Sequence, residues 1–245
     1  MLHKMSQVLP YANAVCIRSC EELDPIFTND LKSKFLNVFE VGPLSLVVAP
    51  SKVADTYNCL GWLDKQRANS VVYVSFGYVA TPTPNELFTL AEALQASGLK
   101  FLWYIFPNGF LENNKENGMV VPWAPRKDVL AHDAVGVYIT HFGYHSVFES
   151  VEAEVSMIGR PFLGDNKLNG RLVEAVWKIG LQVEGRVFTK YEVLKSLDRI
   201  FCVRDEGKKM KEAIKCLNDV VRKPIALDGS SNKNFKLLLE LVMKT

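Results

Sequence analysis

Two short segments combine glycine with side chains that could bind an anion or move a proton. One is Ser75-Phe76-Gly77-Tyr78, and the other is His141-Phe142-Gly143-Tyr144-His145-Ser146. A glycine lets the backbone approach a ligand closely, and a helix N-terminus presents unpaired N–H groups with positive partial charge. Each segment follows a predicted strand, and the second stands at a predicted helix start. The pattern therefore predicts a site for phosphate or pyrophosphate.

Four residues of these segments could also perform acid–base chemistry. Imidazole and phenol groups donate, accept or transfer protons and can stabilise an oxyanion. The candidate catalytic residues are therefore His141, His145, Tyr144 and Tyr78. The spacing of His141, His145 and Glu149 also suggests a metal site, but a glycine separates the strand end from the helix, so no metal is expected.

Strands that alternate with amphipathic helices are predicted from about residue 70 onward. The expected strands are Val71–Phe76, Phe101–Phe106, Val137–Thr140, Val155–Ile158 and Leu181–Val183. Capping boxes predict helix starts at Thr83–Glu86, Ser146–Glu149 and Thr189–Glu192, and further helices are expected at Leu168–Ile179, 206–222 and 230–243. This alternation is typical of an α/β fold with a Rossmann-like, doubly wound parallel sheet. In such sheets ligands bind beyond the carboxyl ends of the strands, where both glycine segments lie.

The N-terminal part of the chain fits this alternation less well. Candidate strands at Val15–Arg18 and Val38–Val41 are separated by a helical stretch that changes from acidic to basic. This part is similar to the tail of another domain. We therefore predict that residues 1–60 form a remnant and linker, and that residues 61–245 form a Rossmann-like domain.

The composition is that of an ordinary globular protein. Of the 245 residues, 48% are hydrophobic and 23% are charged, and the net charge of +2 gives no broad basic field. Neither nucleic acid nor a membrane is therefore expected as a partner, and no apolar run is long enough to span a bilayer. The five cysteines are odd in number and lack the spacing of metal ligands, which disfavours a disulfide framework. We expect a soluble, cytoplasmic protein.

A longer segment carries a more specific signal. Residues 123–180 read WAPRKDVLAHDAVGVYITHFGYHSVFESVEAEVSMIGRPFLGDNKLNGRLVEAVWKIG. This segment resembles the signature box of the plant family-1 UDP-glycosyltransferases, which runs W-x-P-Q…VL-x-H…TH-C-G-W-N-S…E…G-V-P-M…P…D-Q. Further similarities at Glu21–Asp24, Val41–Pro43 and Thr81–Leu87 point to the flavonoid 3-O-glucosyltransferase branch. The resemblance covers essentially the whole chain and implies the C-terminal lobe of the two-lobed (GT-B) glycosyltransferase fold.

The resemblance also implies roles in binding UDP-glucose or UDP. Trp123 would stack on uracil, Glu149 would hold the ribose hydroxyls, and Asp165 would hold the sugar hydroxyls, while the phosphates would contact His141 and Ser146. The predicted nucleotide-sugar-binding residues are Trp123, Arg126, His141, Gly143, Ser146, Glu149, Asp165 and Asn166. No resident cofactor is required. From the residues alone, Trp123 could instead be a packed aromatic and Asp165 a helix cap.

Several residues depart from the family pattern within this predicted pocket. The pattern has glutamine, cysteine, tryptophan, asparagine and glutamine where this chain has Arg126, Phe142, Tyr144, His145 and Asn166. Tyr78 replaces a small serine or threonine, and Glu154 and Ser156 replace glycine and proline. Each lost charge-assisted contact costs about 1.5–3 kcal/mol, so we expect weakened binding of the UDP-sugar.

The resemblance places the start of this chain in the last part of the N-terminal lobe. The family's catalytic histidine, its aspartate partner and most of the acceptor pocket are therefore expected to be absent, and His3 does not match that histidine. We do not expect this chain alone to transfer sugar by the family route.

Three hypotheses about function follow. The first is a truncated relative from plant flavonoid or phenolic metabolism that has lost sugar transfer. Its cleft would be repurposed for a small aromatic metabolite, with new acid–base chemistry. The second is a donor domain that uses UDP-glucose together with a partner lobe. The third is a non-catalytic regulator that forms a homodimer or docks on a full-length glycosyltransferase through an exposed apolar surface.

Overall fold

The chain forms two compact units. The computed structural model describes residues 7–43, 53–77, 81–104 and 117–243. The first unit comprises Met1–Lys52 and Leu217–Thr245, and the second comprises Val53–Cys216. The C-terminal segment, which the sequence assigns to the Rossmann-like domain, thus groups with the first unit, and the assignment of residues 1–60 to a lobe remnant stays a prediction. Tyr78 and the end of the strand predicted at Phe101–Phe106 lie outside the described residues.

Strands and helices alternate along the chain. The strands are β1 (Val15–Ile17), β2 (Val38–Glu40), β3 (Val71–Val74), β4 (Lys100–Tyr104), β5 (Gly118–Val121), β6 (Val135–Thr140), β7 (Ser156–Gly159) and β8 (Gly180–Gln182). The α-helices are α1 (Pro25–Lys34), α2 (Cys59–Leu63), α3 (Pro84–Ser97), α4 (Arg126–Leu130), α5 (Tyr144–Glu152), α6 (Asn166–Arg171), α7 (Lys190–Phe201), α8 (Arg204–Arg222) and α9 (Ser230–Met243). A π-helical turn, Leu172–Val176, continues α6. The sequence did not predict β5, α2 or α4, because such short elements show too little periodicity.

The second unit is built on a parallel sheet. Its strands are hydrogen-bonded in the order β5-β4-β3-β6-β7-β8, and every neighbouring pair is parallel. This is the strand order of a Rossmann fold, so the predicted doubly wound α/β sheet is confirmed. The order reverses between β3 and β6. A ligand crevice is therefore expected where the carboxyl ends of these two strands diverge.

The core of the second unit lies on both faces of this sheet. Every residue of β3 and β6 is buried, as expected for central strands covered by helices on both sides. Tyr73 of β3 and Tyr138 of β6 are register partners whose rings stack with centroids 5.2 Å apart. Leu90 and Leu94 of α3 belong to a separate buried cluster that contains the alternate strand residues Val72 and Ile139. These contacts hold the two strands that border the crevice.

Two helices of the second unit begin as the sequence predicts. Thr83 Oγ1 accepts a hydrogen bond from the Glu86 backbone N–H, and Glu86 Oε2 accepts one from the Thr83 backbone N–H, so the predicted capping box opens α3. Thr189 Oγ1 likewise accepts from the backbone N–H of Glu192 at the start of α7. Local sequence alone therefore determines these helix starts.

The capping box predicted at Ser146–Glu149 is wrong. Helix α5 begins at Tyr144, directly after Gly143, whose backbone is extended with φ −60° and ψ 141°. Ser146 therefore lies inside the first turn, and its side chain is buried. Gly143 stands at the N-cap position without any side-chain cap, because the close approach of a neighbouring ring leaves no room there for a Cβ.

The first unit contains a small parallel pair of strands. β1 and β2 pair with Val15 opposite Val38, which confirms both strands predicted there. The side-chain amide of Asn234 in α9 donates to the Glu21 carboxylate at 2.9 Å and to the Glu40 carbonyl at 3.2 Å. These bonds tie α9 to the strand pair. Within the described ranges, no helix is both long and apolar enough to cross a membrane.

Candidate functional site

The imidazole of His141 lies between two glycines where the strand order reverses. His141 follows β6 directly, and Gly77 lies just beyond β3. A Cβ added to Gly143 would lie 2.5 Å from His141 Nε2, and one added to Gly77 would lie 3.5 Å from His141 Cε1. Because 2.5 Å is too short for a real Cβ contact, only glycine at position 143 allows the ring to lie against the start of α5. The two glycine segments predicted from sequence thus meet at His141.

The environment of His141 favours its neutral form. Burial lowers the pKa of His141 below its ordinary value, and the positive charge of Arg126 lowers it further, while Asp165 opposes both effects. The ring is half-buried, and its centroid lies 6.4 Å from that of Phe162. Its Nδ1 atom has no hydrogen-bond partner among the described residues. A neutral imidazole here can donate one hydrogen bond and accept another.

The N-terminus of α5 stands at the same edge of the sheet, because α5 follows β6 after a short turn. The first N–H groups of a helix lack partners within the helix and carry positive partial charge. The side chain of Ser146 is 2% exposed. The backbone N–H groups of the first turn are thus donors that α5 offers at this edge, and a contact between Ser146 and a phosphate stays a prediction.

Arg126 and Glu149 form an ion pair between α4 and α5. Arg126 Nε lies 2.5 Å from Glu149 Oε2, and Arg126 Nη2 donates to Glu149 Oε1 at 3.0 Å. Burial lowers the pKa of Arg126, but Tyr138 and Glu149 more than offset it, so the pKa lies above its ordinary value. The two partners are 31% and 15% exposed. Among the described residues, Arg126 Nε and Glu149 Oε2 have no hydrogen-bond partner, so the two side chains form an ion pair with one charge-assisted hydrogen bond.

This ion pair was not predicted, although both of its residues were named as ligand-binding candidates. The partners lie on different helices, and a separation of 23 positions matches no helix or strand spacing that would predict a contact. Only the opposite charges could have suggested the contact, and the sequence contains many such combinations. The contact forms because the fold places α4 beside α5.

Asn169 joins two loops at the carboxyl edge of the sheet. Its side-chain amide donates to the Phe142 carbonyl at 2.9 Å and to Asp165 Oδ2 at 3.0 Å. Asn169 is only 6% exposed, so its bond to the Phe142 carbonyl is shielded from water, whereas its bond to the exposed Asp165 is partly solvated. The turn after β6 and the loop before α6 are therefore held together by one buried amide.

Asp165 precedes α6, but its side chain does not cap the helix. Asp165 occupies the N-cap position with φ −65° and ψ −21°, and it makes no side-chain cap hydrogen bond. The helix begins at Asn166 rather than at the predicted Leu168. Asp165 is exposed, whereas Asn166 is buried and its Oδ1 accepts from the Leu163 backbone N–H at 3.5 Å. Binding of sugar hydroxyls by Asp165 and Asn166 stays a prediction.

Phe142 fills a space bounded by two glycines. The side chain is fully buried, and its backbone has φ +59°, in the left-handed region. A Cβ added to Gly159 would lie 2.5 Å from Phe142 Cζ, and one added to Gly170 would lie 3.1 Å from Phe142 Cδ2. The large ring at a position where the family has cysteine is therefore accommodated by packing.

The remaining candidate catalytic residues divide into separate groups. The Tyr144 ring packs on the Phe148 ring with centroids 4.6 Å apart. The exposed His145 ring lies edge to face with the Tyr144 ring, with centroids 6.3 Å apart. Trp123 is half-buried in the segment between β5 and α4. The structure thus brings Tyr144 and His145 together on α5, whereas His141 lies against the two glycines.

Sequence reasoning missed a network beside His141. The Arg160 guanidinium lies over the Phe162 ring, 4.1 Å from its centroid, and Arg160 Nε lies 2.8 Å from Glu86 Oε1. Phe162 in turn contacts Phe76 edge to face at 6.2 Å. The one available signal was that Arg160 directly follows β7, at the edge where ligands bind. This network fixes the loop that borders the imidazole.

The described side chains include no group of three or more His, Cys, Asp or Glu arranged to hold a metal ion. In particular, His141 lies in the turn after β6, whereas His145 and Glu149 lie on α5.

Comparison with known proteins identifies close relatives of the whole chain. The chain is 52% identical to anthocyanidin 3-O-glucosyltransferase 2 of Fragaria ananassa over 258 residues, which cover 98% of this chain and 55% of that relative. It is 49% identical to anthocyanidin 3-O-glucosyltransferase 7 of Manihot esculenta, covering 99% of this chain and 86% of that relative. The chain spans about half the length of most curated relatives reported for it, such as the Fragaria enzyme.

The fold is also that of a solved glycosyltransferase. A crystal structure of UDP-glucose: anthocyanidin 3-O-glucosyltransferase in complex with UDP matches with a TM-score of 0.89 and 37% identity, covering 100% of this chain and 56% of that one. The predicted resemblance to half of a two-lobed glycosyltransferase is thereby confirmed. Residues 32–225 match the sequence model of the family described as UDP-glucoronosyl and UDP-glucosyl transferase. The chain belongs to this UDP-glycosyltransferase family.

Proposed function

We propose that the crevice between β3 and β6 binds the diphosphate of a UDP-sugar, so that this chain supplies the donor-binding part of a flavonoid-type glucosyltransferase. The observation that carries the proposal is the position of the His141 imidazole between Gly77 and Gly143 at the start of α5. The similar anthocyanidin 3-O-glucosyltransferase structure, which contains UDP, supports it.

The proposed donor site uses groups of different kinds. The diphosphate would lie against the positive end of α5 and accept a hydrogen bond from the neutral imidazole, which adds a donor without adding charge. Trp123 would supply a flat apolar face to the base, and the exposed Asp165 would accept hydrogen bonds from sugar hydroxyls. No metal or resident cofactor takes part in this proposal.

Sugar transfer would require more than a donor site. The chain spans 55% of the Fragaria relative that it matches. We therefore propose that transfer to a flavonoid acceptor needs an acceptor-binding lobe, which a partner chain could supply. Formation of a homodimer and docking on a full-length glycosyltransferase both stay predictions.

Isothermal titration of the chain with UDP and UDP-glucose tests the donor site. We expect saturable binding that His141→Ala weakens by at least about tenfold, since the variant loses the donor between the glycines. His132→Ala is the matched control, because His132 precedes β6 at the opposite edge of the sheet, where its Nε2 lies 3.1 Å from Asp64. Equal affinities in the native chain and His141→Ala, or no binding at all, would overturn the proposal.

A second candidate function is binding of a small aromatic metabolite in a repurposed cleft, with loss of sugar transfer. The ring cluster of Tyr144, His145 and Phe148 at the start of α5 favours it, because it places a phenol and an exposed imidazole beside an apolar ring. Such groups could stack on a phenolic ligand and exchange protons with it.

Titration with a flavonol separates the two candidates. The repurposed cleft requires flavonol binding without UDP, and this binding should fall by about tenfold in a Tyr144→Ala/His145→Ala double variant. UDP binding that is unaffected by the same double variant would favour the donor site instead. A chain that binds UDP but no flavonol would exclude the repurposed cleft.

A further inference from the structure

The two carboxylates beside the crevice are both engaged by side chains of the protein itself. Glu149 is contacted at both of its oxygens by Arg126, at 2.5 Å and 3.0 Å, and Asp165 accepts from the Asn169 amide at 3.0 Å. The two engagements differ in strength, because the first joins full charges in a half-buried place and the second joins an exposed carboxylate to a neutral amide. Any ligand hydroxyl that approaches Glu149 meets an ion pair rather than a free carboxylate.

Arg126 is held at the crevice rather than in solvent. Its guanidinium is 31% exposed and lies close enough to Tyr138 and Tyr73 for their phenols to act on its pKa. Tyr138 itself is fixed, because its ring stacks on Tyr73 and its hydroxyl donates to the Ser75 carbonyl at 3.2 Å. The positive charge of the same guanidinium also lowers the pKa of His141.

We propose that Arg126 is a specificity-determining residue that occupies Glu149 in the unliganded chain, so that a ligand with paired hydroxyls, such as a ribose, binds only by breaking this ion pair. The inference rests on the proposed donor site. A hydroxyl that replaces the guanidinium exchanges a charged partner for a neutral one and leaves Arg126 half-buried without its counter-charge. Recognition of the nucleoside is thereby weakened, whereas recognition of the diphosphate is not.

The ion pair should favour the diphosphate of a ligand over its ribose. A diphosphate gains from the nearby positive charge of Arg126, and a ribose loses its carboxylate acceptor. We therefore expect the ribose to add little to the affinity of the native chain, so that UDP binds more tightly than inorganic pyrophosphate only by what stacking of the base on Trp123 contributes. If the Glu149 carboxylate is freed from Arg126, the nucleoside should again contribute to the binding affinity.

Titrations with uridine, UDP and pyrophosphate test this coupling in four chains: native, Arg126→Gln, Glu149→Gln and the double variant. Arg126→Gln should tighten uridine and UDP by about tenfold, because it frees Glu149, and it should leave pyrophosphate unchanged or weaker. Glu149→Gln and the double variant should show no gain for uridine, because both lack the carboxylate. Thermal unfolding of each variant establishes that it is folded before titration.

The outcomes separate this inference from the donor site itself. If the native chain binds UDP and Arg126→Gln binds uridine no more tightly, the role of Arg126 is overturned while the donor site stands. If Glu149→Gln tightens uridine as much as Arg126→Gln does, the ion pair matters but Glu149 is not the hydroxyl acceptor, and the inference is again overturned. If neither UDP nor pyrophosphate binds to any of the four chains, both proposals fail.

Discussion

The sequence departs from the family pattern at both ends of α5, and the structure accommodates the replaced residues differently at the two ends. The β6–α5 turn (His141–Gly143) contains Phe142 at φ +59°, with a fully buried ring and a carbonyl that accepts from Asn169 at 2.9 Å. The α5–β7 turn (Ala153–Val155) contains the exposed Glu154 at φ +56°. The buried Ser156, the first residue of β7, follows this turn, and its hydroxyl has no hydrogen-bond partner among the described residues.

The difference concerns what holds a residue in an unfavourable conformation. Non-glycine residues at positive φ cost about 1 kcal/mol or more, and they persist where surrounding contacts determine them. In the β6–α5 turn those contacts are a packed ring and a buried hydrogen bond. In the α5–β7 turn and at the first residue of β7, the replacements for glycine and proline bring a strained backbone and a buried polar atom. We infer that the first turn stabilises the crevice, whereas reversion of the second should stabilise the protein.

The largest effect is expected at the β6–α5 turn. Phe142→Ala should lower the free energy of unfolding by about 3–5 kcal/mol, because it leaves a cavity against Gly159 and Gly170. Urea unfolding measures the loss. The matched control is Phe88→Ala on α3, where the side chain is 49% exposed and the loss should be about 1 kcal/mol or less. Equal losses in the two variants would contradict the packing role of Phe142.

A gain is expected when Glu154 is replaced by glycine. Glu154→Gly should raise the free energy of unfolding by about 0.5–1 kcal/mol, because glycine adopts φ +56° without strain. Glu154→Ala removes the charge but keeps a Cβ, so it should give little of this gain. If the alanine variant is as stable as the glycine variant, the side-chain charge rather than backbone strain is responsible, and the comparison of the two turns weakens.

A smaller gain is expected at the start of β7. Ser156→Ala should raise the free energy of unfolding by up to about 1 kcal/mol, because it removes a buried hydroxyl that lacks a partner. Ser150→Ala is the matched control, since the buried Ser150 hydroxyl donates to the Val155 carbonyl at 2.6 Å and its removal should destabilise. Changes of the same sign in both variants would contradict the assignment.

The smallest effect concerns the pH dependence of stability. The pKa of His141 is lowered in the folded chain, so between its folded pKa and the ordinary value of 6.5 the unfolded chain binds more protons. The free energy of unfolding should therefore fall as the pH drops below about 6.5. Urea unfolding between about pH 7.5 and about pH 5.5 should show a steeper fall for the native chain than for His141→Gln. Parallel slopes would show that His141 is not held in its neutral form.

Local sequence patterns determined much of the fold and part of the site. The capping box at Thr83–Glu86 and the glycine that ends α3, Gly98 at φ +67°, act within a few residues, so the sequence was sufficient for them. The sequence identified Gly77 and Gly143 as crevice residues, because a glycine after a strand indicates a place where the backbone can approach a ligand. Residues 123–180 carried enough of the family pattern to indicate the family, which the comparisons confirmed.

Tertiary structure decided the features that depend on distant partners. The ion pair of Arg126 with Glu149, the two bonds of Asn169 and the packing of Phe142 against Gly159 and Gly170 all join separate elements of the sheet and its helices. The start of α5 belongs here too, because the helix begins at Tyr144, before the local capping pattern, where Gly143 lies against the imidazole of His141. Such contacts follow strand order and side-chain volume rather than spacing along the chain. A sequence therefore names the residues of this crevice, and only the folded chain shows which of them engage each other.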